Sequence, residues 1–326
     1  MTTTRGETLD GVSTRASWRP SPPGRRAAEP SPAKRRRRRR QILEGYLFVA
    51  PIALGILLFQ GAPIVVSVYT SFTQWDGIGP ARFIGLENFK ELLSGADPIF
   101  TTVLRNTLIF TVASVPLTIA LAIPLAMICN LKFRGSAFFR TAFFTPYVMN
   151  AVAIGFVWFY LYSPSGILNS VLGTVGIHGP AWLADSKWVI IALVIVSVWQ
   201  GVGYPMVILL AGLQAIPETL YETAKLDGAK ALARTRLITL PLLSPQIFFV
   251  LIAQFIASFQ VFGLIYVMTR GGPGYSSSVY IYYLWQSAFS LGRMGYAAAM
   301  AWLVVVIIAA VTWVQWRLQK RWVFYG

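Results

Sequence analysis

The sequence predicts an all-α polytopic membrane protein with six transmembrane helices, and three observations carry that prediction. Hydrophobic residues make up 56% of the 326 residues and aromatics 14%. Charged residues are only 12%, against about 25% in an ordinary soluble domain. The charges are also gathered into blocks, leaving six charge-free runs at 45–75, 106–131, 141–184, 188–217, 237–269 and 294–316. A helix needs about 20 apolar residues to cross a hydrocarbon core of about 30 Å, and a charge at that depth is costly. Each run holds such a stretch.

Taken in order, the spans are predicted near Tyr46–Thr70, Asn106–Asn130, Thr141–Tyr162, Trp188–Leu213, Gln246–Met268 and Ala297–Trp316. The first follows a long basic leader and lacks a small-residue cleavage site, so it is expected to be retained. Ser163–Ala184 is charge-free but dotted with Gly and Pro, and reads as a loop. Tyr275–Gly292, rich in Tyr, Trp and Ser, suits the interfacial belt rather than the hydrocarbon centre.

Charge then orients the chain. The net charge is +16, and residues 1–40 hold 12 basic and 3 acidic residues, a net of +9. This Pro/Ser/Arg-rich stretch is predicted to be a disordered cytoplasmic tail, distinct from a six-helix transmembrane body at 41–326. Its run Lys34–Arg40 abuts the first span, which favours a positive-inside anchor over a nucleic-acid arm; no nucleic acid is expected as a partner. With both termini inside, the body's cytoplasmic connections carry ten basic residues and the external ones six. A seventh span would place Arg317, Lys320 and Arg321 on the wrong side.

Several chemistries are excluded. One Cys (Cys129) permits no internal disulfide, and with one His (His178) it cannot make a zinc site. No GxSxG elbow accompanies His178, which sits in a Gly/Pro-rich loop. No Asp or Glu falls inside a predicted span, which weighs against a proton- or ion-coupled carrier. There is no GxxxxGK[ST], so the chain is not expected to hydrolyse nucleotide, and catalytic and metal-ligating residues are none.

The cytoplasmic connection between the fourth and fifth spans, Ile216–Pro245, is the most informative. Pro217 suits a first helical turn, Glu218 and Glu222 lie near its positive end, and Gly228 marks a turn before a second short helix. Pro241 and Pro245 restart the chain toward the fifth span. Within it, Glu222, Ala224, Gly228, Ile238, Leu240 and Pro241 satisfy Glu-x-Ala-x-x-x-Gly, nine residues, Ile-x-Leu-Pro. That pattern resembles the EAA loop of the membrane subunits of bacterial ABC importers, with Thr223 where the family most often has Ala. FIGLENF (Phe83–Phe89), LAGLQAIPETLYE (Leu210–Glu222), SFQVFGLIYVMTRGGPG (Ser258–Gly274) and RLQKRWV (Arg317–Val323) are similar to sugar permeases related to the maltose transporter's larger membrane subunit. Gly263 departs from that family, which often has Asp there.

The resemblance implies a type I importer permease fold and a carbohydrate or glycerol-phosphate-like cargo. It also implies a second homologous permease subunit, a cytoplasmic ATPase dimer and an extracytoplasmic solute-binding protein. ATP and Mg would sit on the ATPase, with no cofactor in this chain. The residues it assigns to ATPase coupling are Glu222, Ala224, Asp227, Gly228, Ile238, Leu240 and Pro241. The alternative is an ATP-independent secondary carrier or channel.

For the solute pathway, sugars favour aromatic faces beside amide and hydroxyl groups. Gln200 and Tyr204 share a helix face, as do Gln254 and Ser258, each pair four residues apart. Gln260, flanked by Phe259 and Phe262, is rotated from Gln254 by about 240° on an α-helix. These seven are the predicted pathway residues, although they cannot all line one cavity.

Overall fold

The computed structural model of the chain describes residues 32–131 and 134–324, with backbone alone for 32–40. Most of the predicted tail thus lies outside the described residues, and the first helix begins at Pro32. The chain divides into two units, Met1–Pro63 and Ile64–Gly326. In the first, α1 (Pro32–Ile56) runs into a π-helical turn at Leu57–Gly61, closed by the Ala62 N–H on Leu57 O. The helical stretch Gln41–Ser71, ending in α2 (Ala62–Ser71), is long and apolar enough to cross a membrane.

In the second unit, a short antiparallel pair of β1 (Thr73–Gln74) and β2 (Arg82–Phe83) precedes α3 (Glu87–Ser94). The long α4 (Pro98–Asn130) follows, then α5 (Ser136–Val148) and α6 (Ala151–Leu161), bent by 97°. After α7 (Ile167–Thr174) come α8 (Val189–Gly201) and α9 (Gly203–Ala215), bent by 43°. The cytoplasmic-type loop forms α10 (Glu218–Leu226), α11 (Ala231–Arg234), a π-helical turn and α12 (Leu240–Leu242). The last elements are α13 (Ser244–Phe259), α14 (Gly263–Met268), α15 (Tyr280–Trp285) and α16 (Met294–Gln319). Four helical stretches can cross a membrane singly, and the two bent pairs bring the number to six if each pair is one span.

Helix α4 is the hub, packing on α5, α8, α9, α13 and α15 and contributing to all three apolar clusters. Lipid tails are as apolar as Leu, so helices in a bilayer associate through close packing and buried polar contacts. The α4–α9 contact shows this. Ala122, Ala126 and Cys129 are fully buried among Val202, Met206, Leu209 and Leu213. Arg140 of α5 closes the end of α4, donating from Nε and Nη2 to Cys129 O at 3.2 and 2.8 Å.

Within the segment expected at the interfacial belt, Tyr280, Tyr282 and Tyr283 are buried in the fold. Their hydroxyls donate to Met300 O, Arg270 O and Asp97 Oδ2, respectively. Those bonds satisfy the polar tips, and the rings fill the core.

Candidate functional site: a cavity at the helix breaks and an exposed corner

A cavity of about 490 Å³ lies outside the helical bundle, and one of about 370 Å³ lies within it. The inner cavity is framed by α4, α5, α8, α9 and α13. It lies where helices break: Tyr147 is in the last turn of α5, Gly201 ends α8, and Val261 follows the end of α13. Helices interrupted at a cavity are how many transporters expose polar groups at membrane depth without exposing backbone to lipid.

The structure brings four predicted pathway residues to this cavity: Gln200, Tyr204, Gln254 and Ser258. The sequence spacing had paired them two by two; the fold joins the pairs, because α8–α9 and α13 both pack against α4. Tyr204 stacks on Tyr147, with ring centroids 5.1 Å apart and planes 20° apart. Ser258 Oγ shares its hydrogen between Thr111 Oγ1 (3.0 Å) and Phe255 O (2.8 Å). Ser114 of α4 also lines the cavity; it is 3% exposed and its Oγ has no hydrogen-bond partner. Sequence spacing within one helix could not reveal Ser114, because its neighbours in space come from other helices.

The other three predicted residues do not line the cavity. Phe259 is 1% exposed and packs beside Phe255, Tyr280 and Met300. Gln260 is the exposed C-cap of α13. Phe262 stacks with Tyr266 and Tyr282 near Trp285. Helix α13 ends at Phe259, so Gln260 follows it as the cap.

The second site is the α10–α11 corner. Gly228 N–H bonds Lys225 O at 3.1 Å and Ala229 N–H bonds Ala224 O at 2.9 Å, the two-bond Schellman closure of a helix end. It requires a left-handed residue, and Gly228 has φ +76°. Of the predicted coupling residues, Glu222, Asp227 and Gly228 are exposed. Ala224, Ile238, Leu240 and Pro241 are half-buried. Tyr221 OH and Thr239 Oγ1, 3.0 Å apart, tie α10 to the π-helical turn at Thr235–Thr239. Leu226 (89% exposed) and Leu232 (80%) project from this corner unburied.

Residues 119–323 match the family described as the binding-protein-dependent transport system inner membrane component. The chain belongs to that family. Its relatives include YesP of Bacillus subtilis (strain 168), a probable ABC transporter permease protein, 37% identical across 90% of this chain and 95% of that one. LacF of Rhizobium radiobacter, a lactose transport system permease protein, is 34% identical across 86% of this chain and 95% of its own. The fold also matches a crystal structure of a bacterial ABC transporter involved in the import of the acidic polysaccharide alginate. There the TM-score is 0.75 at 23% identity, over 87% of this chain and 99% of that chain. The chain is therefore an ABC importer permease subunit of type I fold, a membrane component and not an enzyme.

Proposed function

We propose that this permease carries a sugar or sugar-like solute through the inner cavity and couples its passage to an ATPase through the α10–α11 corner. The observation that carries the coupling is the corner itself. A Schellman turn holds Glu222, Asp227 and Gly228 exposed beside two unburied leucines. Exposed leucines rimmed by charged residues mark a protein-docking surface. The sugar assignment is supported by the stacked tyrosines and neutral hydroxyl and amide groups of the cavity, and by the lactose named for LacF.

In this reading the chain pairs with a second, similar permease and rests on a cytoplasmic ATPase dimer that binds ATP and Mg. Both termini lie in the cytoplasm, following the charge asymmetry of the loops. Closure of the ATPase dimer moves α10, and the Tyr221–Thr239 contact passes that motion to the start of α13. The helices around the cavity then rock between inward- and outward-facing arrangements.

Gly228→Asp tests this reading. Any side chain at φ +76° is strained, and the added carboxylate sits at the proposed docking surface. The expected result is an assembled complex that has lost solute-stimulated ATP hydrolysis. Full stimulation in the variant would overturn the coupling role.

A further inference from the structure

The start of α13 is jointed, and the cause lies in the sequence. In an unbroken α-helix the carbonyl of residue 241 accepts from the N–H of residue 245. Residue 245 is Pro and has no N–H to give. The ladder therefore loses a bond where α12, ending at Leu242, gives way to α13, starting at Ser244. Ser244 supplies a donor from its side chain instead: its Oγ donates to Pro241 O at 2.6 Å. Ser244 is buried, so water does not take over that role.

A segment 80 residues further along the chain holds the same hydroxyl. Phe324 N–H donates to Ser244 Oγ at 2.8 Å. Two residues earlier, the Trp322 ring meets Phe248 of α13 edge-on, with centroids 5.9 Å apart and planes at 74°. The base of this segment is fixed to α16, where Gln319 O accepts from Trp322 N–H (3.1 Å) and Val323 N–H (2.8 Å). Residues 320–324 thus run from the end of α16 across to the first turns of α13 as a strap.

The other side of the joint carries the α10–α11 corner. Tyr221 OH and Thr239 Oγ1 are 3.0 Å apart, and Thr239 O accepts from Leu243 N–H at 2.9 Å. A displacement of α10 therefore reaches α13 along 239–244, the stretch with the missing ladder bond. Helices bend where a proline breaks the ladder. Left alone, such a joint absorbs a displacement by bending. Tied to α16 by the strap, the first turn of α13 carries the displacement onward.

We propose that Ser244 and Trp322 are positioning residues for ATP coupling: the strap at 320–324 binds the jointed start of α13 to the end of α16, so that displacement of the α10–α11 corner drives α13 instead of bending the joint. The proposal rests on the reading of that corner as the ATPase-docking surface and names the residues that carry its motion onward.

The test is distance measurement between pairs of spin labels in the whole complex of permeases, ATPase dimer and solute-binding protein, free of nucleotide and after trapping with ATP and vanadate. Labels go on exposed positions of a Cys129→Ser chain, with partner subunits free of cysteine. The pair Leu237→Cys with Ile128→Cys reports the corner against α4, and Phe249→Cys with Ile128→Cys reports α13 against α4. In the otherwise unaltered chain, trapping is expected to change both distances. In Ser244→Ala and in Trp322→Ala the corner pair is expected to change as before. The ratio of moved to unmoved molecules at the α13 pair is expected to fall about fivefold, the factor one typical hydrogen bond contributes to an equilibrium. Ser244→Thr, which keeps the hydroxyl, is expected to retain the α13 change. A strap that only adds stability would lower Tm and leave the α13 change intact, so an undiminished change in both assembled variants would overturn the proposal. Loss of both changes in an assembled variant would overturn it too, because the strap would then serve docking. So would an unaltered chain whose corner moves while α13 stays. Failure of the coupling reading itself looks different: the corner pair would stay fixed in the unaltered chain.

Discussion

Asp97 shows how one residue can organise one end of the bundle. Its Oδ1 caps α4 by accepting from the N–H groups of Ile99 (2.9 Å) and Phe100 (3.1 Å). Its Oδ2 accepts from Tyr283 OH (2.7 Å) and Tyr296 OH (2.8 Å), which come from α15 and α16. One carboxylate thus satisfies four donors from three helices. Nearby, Arg293 Nη2 reaches both oxygens of Glu91 at 2.7 and 2.6 Å and lies over the Tyr296 ring. Burial pushes the Asp97 carboxyl up, but the hydrogen bonds from Tyr283, Tyr296, Phe100 and Ile99 outweigh it and hold the group below its ordinary value of 3.8. A carboxyl depressed in the folded state stabilises the fold above its unfolded pKa and loses that contribution as pH falls through its folded pKa. Asp97→Asn keeps a capping oxygen but leaves at least one buried tyrosine hydroxyl without an acceptor. The expected cost is about 1–3 kcal/mol, measured as a lower Tm of the purified protein near neutral pH. The variant is also expected to lose less Tm than the wild type on acidification below pH 3.8. An unchanged neutral Tm would show that the cluster is not stabilising.

At the scale of elements, the physical reasons for success and failure of sequence reading are plain. Apolar run length located the strongly hydrophobic stretches, because lipid requires length and lack of charge and little else. Gly228 was legible as a turn, since a helix end of this kind needs a left-handed residue and the flanking charges mark an exposed loop. The bends were not foreseen. Thr141–Tyr162 reads as one apolar run, yet Asn150 stops it and caps a new helix by accepting from Val152 N–H at 2.8 Å. Hydropathy cannot register that, since a polar N-cap changes direction without changing the mean. Helix α4 also begins at Pro98, eight residues before the predicted span, and carries Arg105 within it. Asp97 before Pro98 was the missed start signal. Close approach between helices is also invisible to hydropathy. A Cβ on Gly203 would strike the backbone of Phe143 and Phe144, so α9 meets α5 there backbone to backbone. Gly203→Leu is expected to force these helices apart at a cost of at least about 1–3 kcal/mol, with lower thermal stability and loss of transport together. Wild-type stability in that variant would show that the two backbones do not meet there.

For the whole molecule, the decisive quantity is the parity of membrane crossings, because it fixes which face meets the ATPase. The bent pairs α5–α6 and α8–α9 each count once as a span or not at all as a re-entrant loop. If both are spans, the segment holding Asp185 is external and the corner holding Lys230 is cytoplasmic. If only α5–α6 re-enters, Asp185 and Lys230 exchange sides; if only α8–α9 does, both are external. If both re-enter, both lie in the cytoplasm. The basic residues of the corner, Lys225, Lys230, Arg234 and Arg236, favour the first and last arrangements, which keep the corner inside, since positive charge is retained there. Single-cysteine labelling separates the four cases. Cys129 is the chain's one cysteine and is buried, so Cys129→Ser provides a silent background. On that background Asp185→Cys is expected to react with a membrane-impermeant maleimide in intact spheroplasts, and Lys230→Cys only after permeabilisation. Labelling of Lys230→Cys from outside would put the α10–α11 corner on the wrong face for any cytoplasmic ATPase and end the coupling mechanism, whatever the cavity binds.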